Sequence, residues 1–324
     1  MTTEEYIFAH EINIKEIFQN LQYLELDNLD NYFKTTIIPY LPSTITSLIV
    51  KYNYDNEVPY FQDLLNKFDN LKVLELIGIY IKPEEFDYLL NKEFPQLKRL
   101  HIQYVEVDNL DEVIINLGNY PKLKVLYYHR YTTLVFNGVS NLRELILNDV
   151  KLSKTVINDG IFPKLNQIRI EYCYNLSTKH LHSIFNMPTV TSLNLMIYNN
   201  PSFLIKEVYP KKSCNLIKLS ITSFTLGNDF FTFLYTLCPK LHNLEISDCD
   251  FDFGPSPIAS KNELTLNHGL TNVMFYNYYD LNSEIFIEYI LKHYKNLKSF
   301  HITNTGDYLE KYMDEYSSIF NKYV

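Results

Sequence analysis

Leu71-Lys72-Val73-Leu74-Glu75-Leu76 sets large apolar residues at its first, fourth and sixth positions, and the same spacing returns in Leu142-Arg143-Glu144-Leu145-Ile146-Leu147 and Leu241-His242-Asn243-Leu244-Glu245-Ile246. With other apolar residues admitted at those slots, units open at Leu21, Ile45, Leu71, Leu97, Leu123, Leu142, Leu165, Val190, Leu216, Leu241, Leu270 and Leu297. The steps are 24, 26, 26, 26, 19, 23, 25, 26, 25, 29 and 27 residues. A period this steady makes the chain an array of one repeated structural unit rather than a set of unrelated elements.

The spacing dictates the local structure. Apolar residues at the fourth and sixth positions, separated by polar ones, fit a short strand over the third to seventh residues, because successive strand side chains point to opposite faces. Positions four and six then stack inward on the same positions of neighbouring units, while positions three, five and seven face solvent. In two units the pattern runs further: Cys173 and Cys249 fall three residues past the last apolar position. Elsewhere that slot holds Leu29, Ile79, Val105, Tyr131, Val150, Tyr198, Phe224 or Tyr278, so apolar filling replaces a polar tie to the turn.

With its period in the range of roughly 20–29 residues, its L-x-x-L-x-L core and its Cys at the ninth slot, the chain resembles leucine-rich-repeat proteins along nearly its whole length. That resemblance implies an α/β solenoid, a horseshoe with a parallel concave β-sheet and a mostly helical convex side. Leu237-Cys238-Pro239-Lys240-Leu241 and the two ninth-slot cysteines are similar to the cysteine-containing repeats of F-box proteins, although no recognisable F-box precedes them. Leu41-Pro42-Ser43-Thr44-Ile45 also resembles the opening of FNIP-type repeats.

Return segments read mainly as helices. Phe61, Leu64, Leu65 and Phe68 recur at i, i+3, i+4 and i+7. Pro83, Glu84 and Glu85 suit a first helical turn ahead of Phe86, Leu89 and Leu90. Val113-Ile114-Leu117, Leu181-Ile184-Phe185 and Ile285-Tyr289-Ile290 extend the expected helical layer. Two units differ: the 19-residue fifth leaves room only for an extended return through Thr132–Phe136, and Gly254, Pro255 and Pro257 make a loop of the return from Asp250 to Gly269. The expected organisation is an N-terminal cap over 1–20, about twelve repeats over 21–303, and a capping helix over 304–324.

Composition narrows the function. A net charge of −9 with no basic cluster argues against nucleic acid as partner. No run reaches the roughly 18 apolar residues of a membrane span, and the acidic start lacks a secretory signal. The expectation is therefore a soluble, cytoplasmic protein, monomeric on its own, with Cys173, Cys214, Cys238 and Cys249 as reduced thiols. No phosphate loop, nucleophile elbow or zinc-protease motif is present, which points to a non-enzymatic role without cofactor or metal.

An array of stacked repeats suits protein binding. The central outward positions offer Arg99, His101 and Gln103, then Val125, Tyr127 and His129, then Glu144, Ile146 and Asn148, then Gln167, Arg169 and Glu171. Arg and Tyr are favoured at interface hot spots. Arg99, His101, Gln103, Tyr127, His129, Arg169 and Glu171 are accordingly the expected partner-binding residues on the concave face. The alternative implied by the F-box resemblance is a substrate-recognition module of a cullin-type ubiquitin ligase.

Overall fold

The computed structural model describes residues 18–27, 38–57, 61–197, 213–227, 230, 233–234, 237–252, 269–276, 290, 294 and 296–303. The chain divides into two units, 1–142 and 143–324. The first contains β1 (Tyr23–Asp27), β2 (Ser47–Glu57), β3 (Val73–Tyr80), β4 (Arg99–Gln103), β5 (Glu112–Asn116), β6 (Val125–His129) and β7 (Thr133–Asn137). The second contains β8 (Glu144–Asn148), β9 (Gln167–Glu171), β10 (Ser192–Met196), β11 (Lys218–Thr222), β12 (Thr225–Gly227), β13 (Asn243–Ser247), β14 (Asp250–Asp252), β15 (Asn272–Tyr276) and β16 (Ser299–Thr303).

Each of the twelve repeats contributes a strand that starts at its third residue. Within the first unit these pair in the order β1-β2-β3-β4-β6, and within the second in the order β8-β9-β10-β11-β13-β15-β16. The pairs are parallel and keep equivalent repeat positions opposite one another, as in Leu74 with Leu48 on one side and Leu100 on the other. One parallel strand per repeat, paired in repeat order, is the sheet of a leucine-rich-repeat solenoid.

A main-chain rung supports the register. The carbonyl of each second residue accepts N–H bonds from the second and third residues of the next repeat: Lys72 accepts from Lys98 (2.7 Å) and Arg99 (3.1 Å), and Lys98 from Lys124 (2.8 Å) and Val125 (3.0 Å). This arrangement recurs at each step within either unit. These N–H bonds need no particular side chain, so sequence at the second position can vary; where it is Thr (Thr46, Thr191, Thr271), the hydroxyl adds a longer bond to the same carbonyl.

Packing follows the alternation. Leu48, Leu74, Leu100, Leu126, Leu145, Leu193, Leu219 and Val273 are fully buried, as are Val50, Leu76, Ile102, Tyr128, Leu147, Ile170, Leu195, Ile221 and Ile246 two residues on. At about 0.8 kcal/mol per buried methylene, this seam is the main favourable term in the fold. The eighth residue of the repeat is left-handed in six of the described repeats: Gly78, Tyr104, Asp149, Tyr172, Ser223 and Asp248 all have φ between 49° and 62°. The turn redirects the chain while keeping the ladder, because the Asp149 N–H still reaches the Glu171 carbonyl (3.0 Å) and the Tyr172 N–H the Met196 carbonyl (2.7 Å). Cys173 and Cys249 fill the next position in, and their thiols donate to the carbonyls of Leu147 (3.5 Å) and Ile221 (3.7 Å) one repeat back.

The returns are less helical than the periodicity suggests. Helices α1 (Phe61–Asn66), α2 (Pro83–Asn91) and α3 (Thr178–Phe185) lie where expected, each with its apolar stripe buried. In the ninth repeat Phe230, Phe233, Leu234 and Leu237 are helical and buried. Val113-Ile114-Leu117 is not a helix. Residues 112–116 form β5, which pairs in parallel with β7 (Val113 opposite Leu134, Ile115 opposite Phe136), and Leu117 opens one turn of 3-10 helix.

Two features explain that difference. The β-branched run Val113-Ile114-Ile115 favours a pleated surface, and the short fifth repeat has room only for an extended return, as its spacing indicates, which offers β5 a partner. Ile114, 53% exposed, is the outward residue of this strand rather than part of a buried stripe. The next repeat also completes α2, whose last carbonyls lack partners within the helix: the Tyr120 hydroxyl donates to Leu89 (3.1 Å) and Leu90 (3.2 Å), and the Asn119 amide to Leu90 and Asn91.

Tyr131 is a second correction. It is 52% exposed, and the buried Thr132 occupies the slot beside Tyr128, their hydroxyls 2.8 Å apart. Arg130 accompanies the shift: its guanidinium donates to the Val105 carbonyl and to that of Val107 (2.6 Å), tying down the preceding turn as a polar slot residue would. The expected caps at residues 1–20 and 304–324, the return around Ile285 and Tyr289, and the loop over 253–268 fall wholly or mostly outside the described residues.

Candidate interaction surface

The open face of the sheet carries the third, fifth and seventh residues of each repeat, and the first unit concentrates rings there. His101 lies directly across from Tyr127, and Gln103 across from His129. The His101 and Tyr127 rings are 4.2 Å apart, Tyr127 and His129 6.4 Å, and His129 and Tyr104 4.2 Å, all steeply inclined. Four rings thus run unbroken across β4 and β6. Inclined ring pairs are favourable because the positive edge of one meets the negative face of the other.

Charge borders one end of the run. Glu75 on β3 approaches Arg99 (3.8 Å) and His101 (3.8 Å), while His101 Nε2 bonds the Gln103 side-chain oxygen at 2.9 Å. Burial holds the His101 pKa below the usual histidine value and outweighs the Gln103 hydrogen bond and the Glu75 charge, which act the other way. At neutral pH His101 is therefore a neutral ring donating through Nε2.

The expected site residues separate on inspection. Arg99, His101, Gln103, Tyr127 and His129 come together in the first unit, but His129 is only 8% exposed. Tyr127 and Tyr104 flank it, so it supports the rings rather than presenting itself. Arg169 and Glu171 belong to the second unit and form their own cluster. Arg169 Nε lies 3.5 Å from Glu171, whose other oxygen accepts from the Asn148 amide at 3.4 Å. Asn148, expected outward, is also buried.

Tyr104 is the functional candidate that sequence reading misses. It occupies the eighth position, just past the strand, where the left-handed backbone (φ 52°) swings its 52%-exposed ring onto His129. A second missed feature is a cationic column: Lys72, Lys98 and Lys124, each second in its repeat, are exposed and follow one another along the main-chain rungs. Spaced 26 residues apart in sequence, they form no visible basic cluster, yet stacking places them at successive strand starts roughly 4.8 Å apart.

His101 and His129 sit diagonally across β4 and β6, and among the described residues no group of three or more His, Cys, Asp or Glu side chains is placed to hold a metal. Among the same residues no helix is long and apolar enough to cross a membrane.

No protein-family model matches the chain, and no curated protein sequence does. Among solved structures, an internalin from Listeria monocytogenes is similar over 82% of this chain and 87% of that one, at 16% identity and a TM-score of 0.30. So loose a superposition adds nothing to the repeat architecture that strand pairing already defines.

Proposed function

We propose that this protein is an interaction scaffold whose partner, another protein, docks on the open sheet face of the first unit. The observation that carries this reading is the four-ring run His101-Tyr127-His129-Tyr104 bordered by Arg99 and Glu75. It presents rigid aromatic surface at little conformational cost, next to charge that can set orientation, as binding hot spots do. Arg99, Tyr127 and Tyr104 are the contact residues, His101 and Gln103 position them, and His129 is the packing beneath. Arg169 and Glu171 form a separate polar contact in the second unit.

The test compares proteins co-purified from the native host by the wild type and by Arg99→Glu combined with Tyr127→Ala. Both substitutions sit on partly exposed positions and leave the buried seam intact. The expected result is selective loss of one partner, with unchanged recovery and thermal midpoint of the scaffold. Undiminished binding by the double variant refutes the assignment. The ligase-receptor alternative rests on the repeat period, the ninth-slot cysteines and the Leu237-Cys238-Pro239-Lys240-Leu241 phrase, and co-purification of a cullin adaptor with the wild type is the outcome that would favour it.

A further inference from the structure

Cys214 and Cys238 stand apart from the ring run, on the segments leading into the ninth and tenth repeats. Both are buried, neither is in a disulfide, and their Sγ atoms lie 3.3 Å apart. The main chains around them are already clamped: the Cys214 N–H donates to the Leu237 carbonyl at 2.7 Å, and its thiol reaches the same oxygen at 2.8 Å. A disulfide bond is about 2.05 Å long, so bonding needs the sulfurs to close by roughly 1.3 Å, within the reach of two side-chain rotations. Cys173 and Cys249 differ in that the partners of their thiols are main-chain carbonyls, Leu147 for the first and Ser247 and Ile221 for the second, and not another sulfur.

We propose that Cys214 and Cys238 are a dithiol–disulfide couple, a covalent staple between consecutive repeats that a low-molecular-weight disulfide such as oxidised glutathione installs. Cys214 attacks first, being 5% exposed where Cys238 is sealed. Its thiolate bonds one sulfur of the small disulfide and expels the other half as a thiolate. Cys238 then loses its proton, attacks the Cys214 sulfur of the mixed disulfide and releases the second half. Two protein thiols and one small disulfide become one protein disulfide and two small thiols, which carry off the two electrons and two protons. The order suits the local chemistry: the hydrogen bond from Cys238 lowers the Cys214 pKa, while burial keeps Cys238 protonated until the mixed disulfide forms.

The staple closes a loop between residues 24 apart in sequence, which restricts the unfolded chain and holds the two repeats together. To test it, the full chain is equilibrated in glutathione buffers of increasing oxidised fraction, once folded and once by refolding from denaturant, then alkylated and mapped by mass spectrometry. The expected product is an internal Cys214–Cys238 link two hydrogens lighter, with Cys173 and Cys249 still alkylatable after denaturation. A thermal midpoint several degrees higher, reversed by dithiothreitol, should accompany it. Cys238→Ser should instead trap glutathione on Cys214 without the thermal gain. Absence of the link by both routes, or random pairing among the four cysteines on refolding, overturns the proposal.

Discussion

Replacing Leu74 by Ala tests the seam on which the solenoid depends. Leu74 is wholly buried, and its register neighbours Leu48 and Leu100 are equally inaccessible. Deleting three carbons forfeits about 2.4 kcal/mol at about 0.8 kcal/mol per methylene. Because rungs on both sides hold the flanking strands in place, collapse is limited, and a residual void of roughly 50 Å³ adds about 1 kcal/mol. The expected loss is about 3–4 kcal/mol. Leu24 occupies the same position on β1 but is partly exposed, and β2 is its strand neighbour. Its truncation should cost roughly 1 kcal/mol, less than half as much, by the same area argument. Urea unfolding followed by circular dichroism gives both values, and amide exchange in β3 and β13 shows whether the units open separately. A loss under about 1 kcal/mol for Leu74→Ala, or equal losses at the two sites, refutes the packing argument.

Other expectations follow from single features. Gly78→Ala puts a side chain on a left-handed backbone (φ 61°) and should cost about 1–2 kcal/mol in chemical denaturation. Burial lowers the pKa of His101 and of His180, whose Nδ1 accepts the Ser177 N–H at 3.0 Å while Nε2 donates to the Thr155 carbonyl at 3.1 Å. The unfolded chain therefore binds more protons between the folded pKa values and about 6.5, so stability is complete above that pH and falls as pH drops below it. Thermal melts from pH 8 to 5 should show this fall, and His101→Gln with His180→Gln should flatten it; an unchanged slope counts against both assignments. Burial pushes the Cys173 and Cys249 thiols up to about 12, so neither should react with iodoacetamide at pH 7.5 in the native state. Rapid native labelling at either would contradict their placement.

The strands were legible because their determinant is local and repeated: an apolar residue at the fourth and sixth positions has one face to bury. Helices α1, α2 and α3 were legible for the same reason, each carrying a full apolar stripe. Val113-Ile114-Leu117 misled because its spacing also fits a helix, and the choice was made by a partner strand in the next repeat. The left-handed turn was hidden since among its six residues only Gly78, and more weakly Asp149 and Asp248, favour that backbone. The site was half readable. Alternation placed Arg99, His101, Gln103 and Tyr127 on the open face, but His129 and Asn148 are covered by neighbours that no strand pattern specifies, and Tyr104 enters only through the turn.

The rung formed by second-position carbonyls carries an evolutionary consequence. Thr46, Lys72, Asn166, Thr191, Ile217, His242 and Thr271 all serve it equally well, since the bonds come from the backbone. A gene segment encoding one whole coil can therefore be copied or excised between equivalent points, and the junction heals by itself. Arrays of this kind can lengthen or shorten by entire coils while their exposed residues drift toward new tasks.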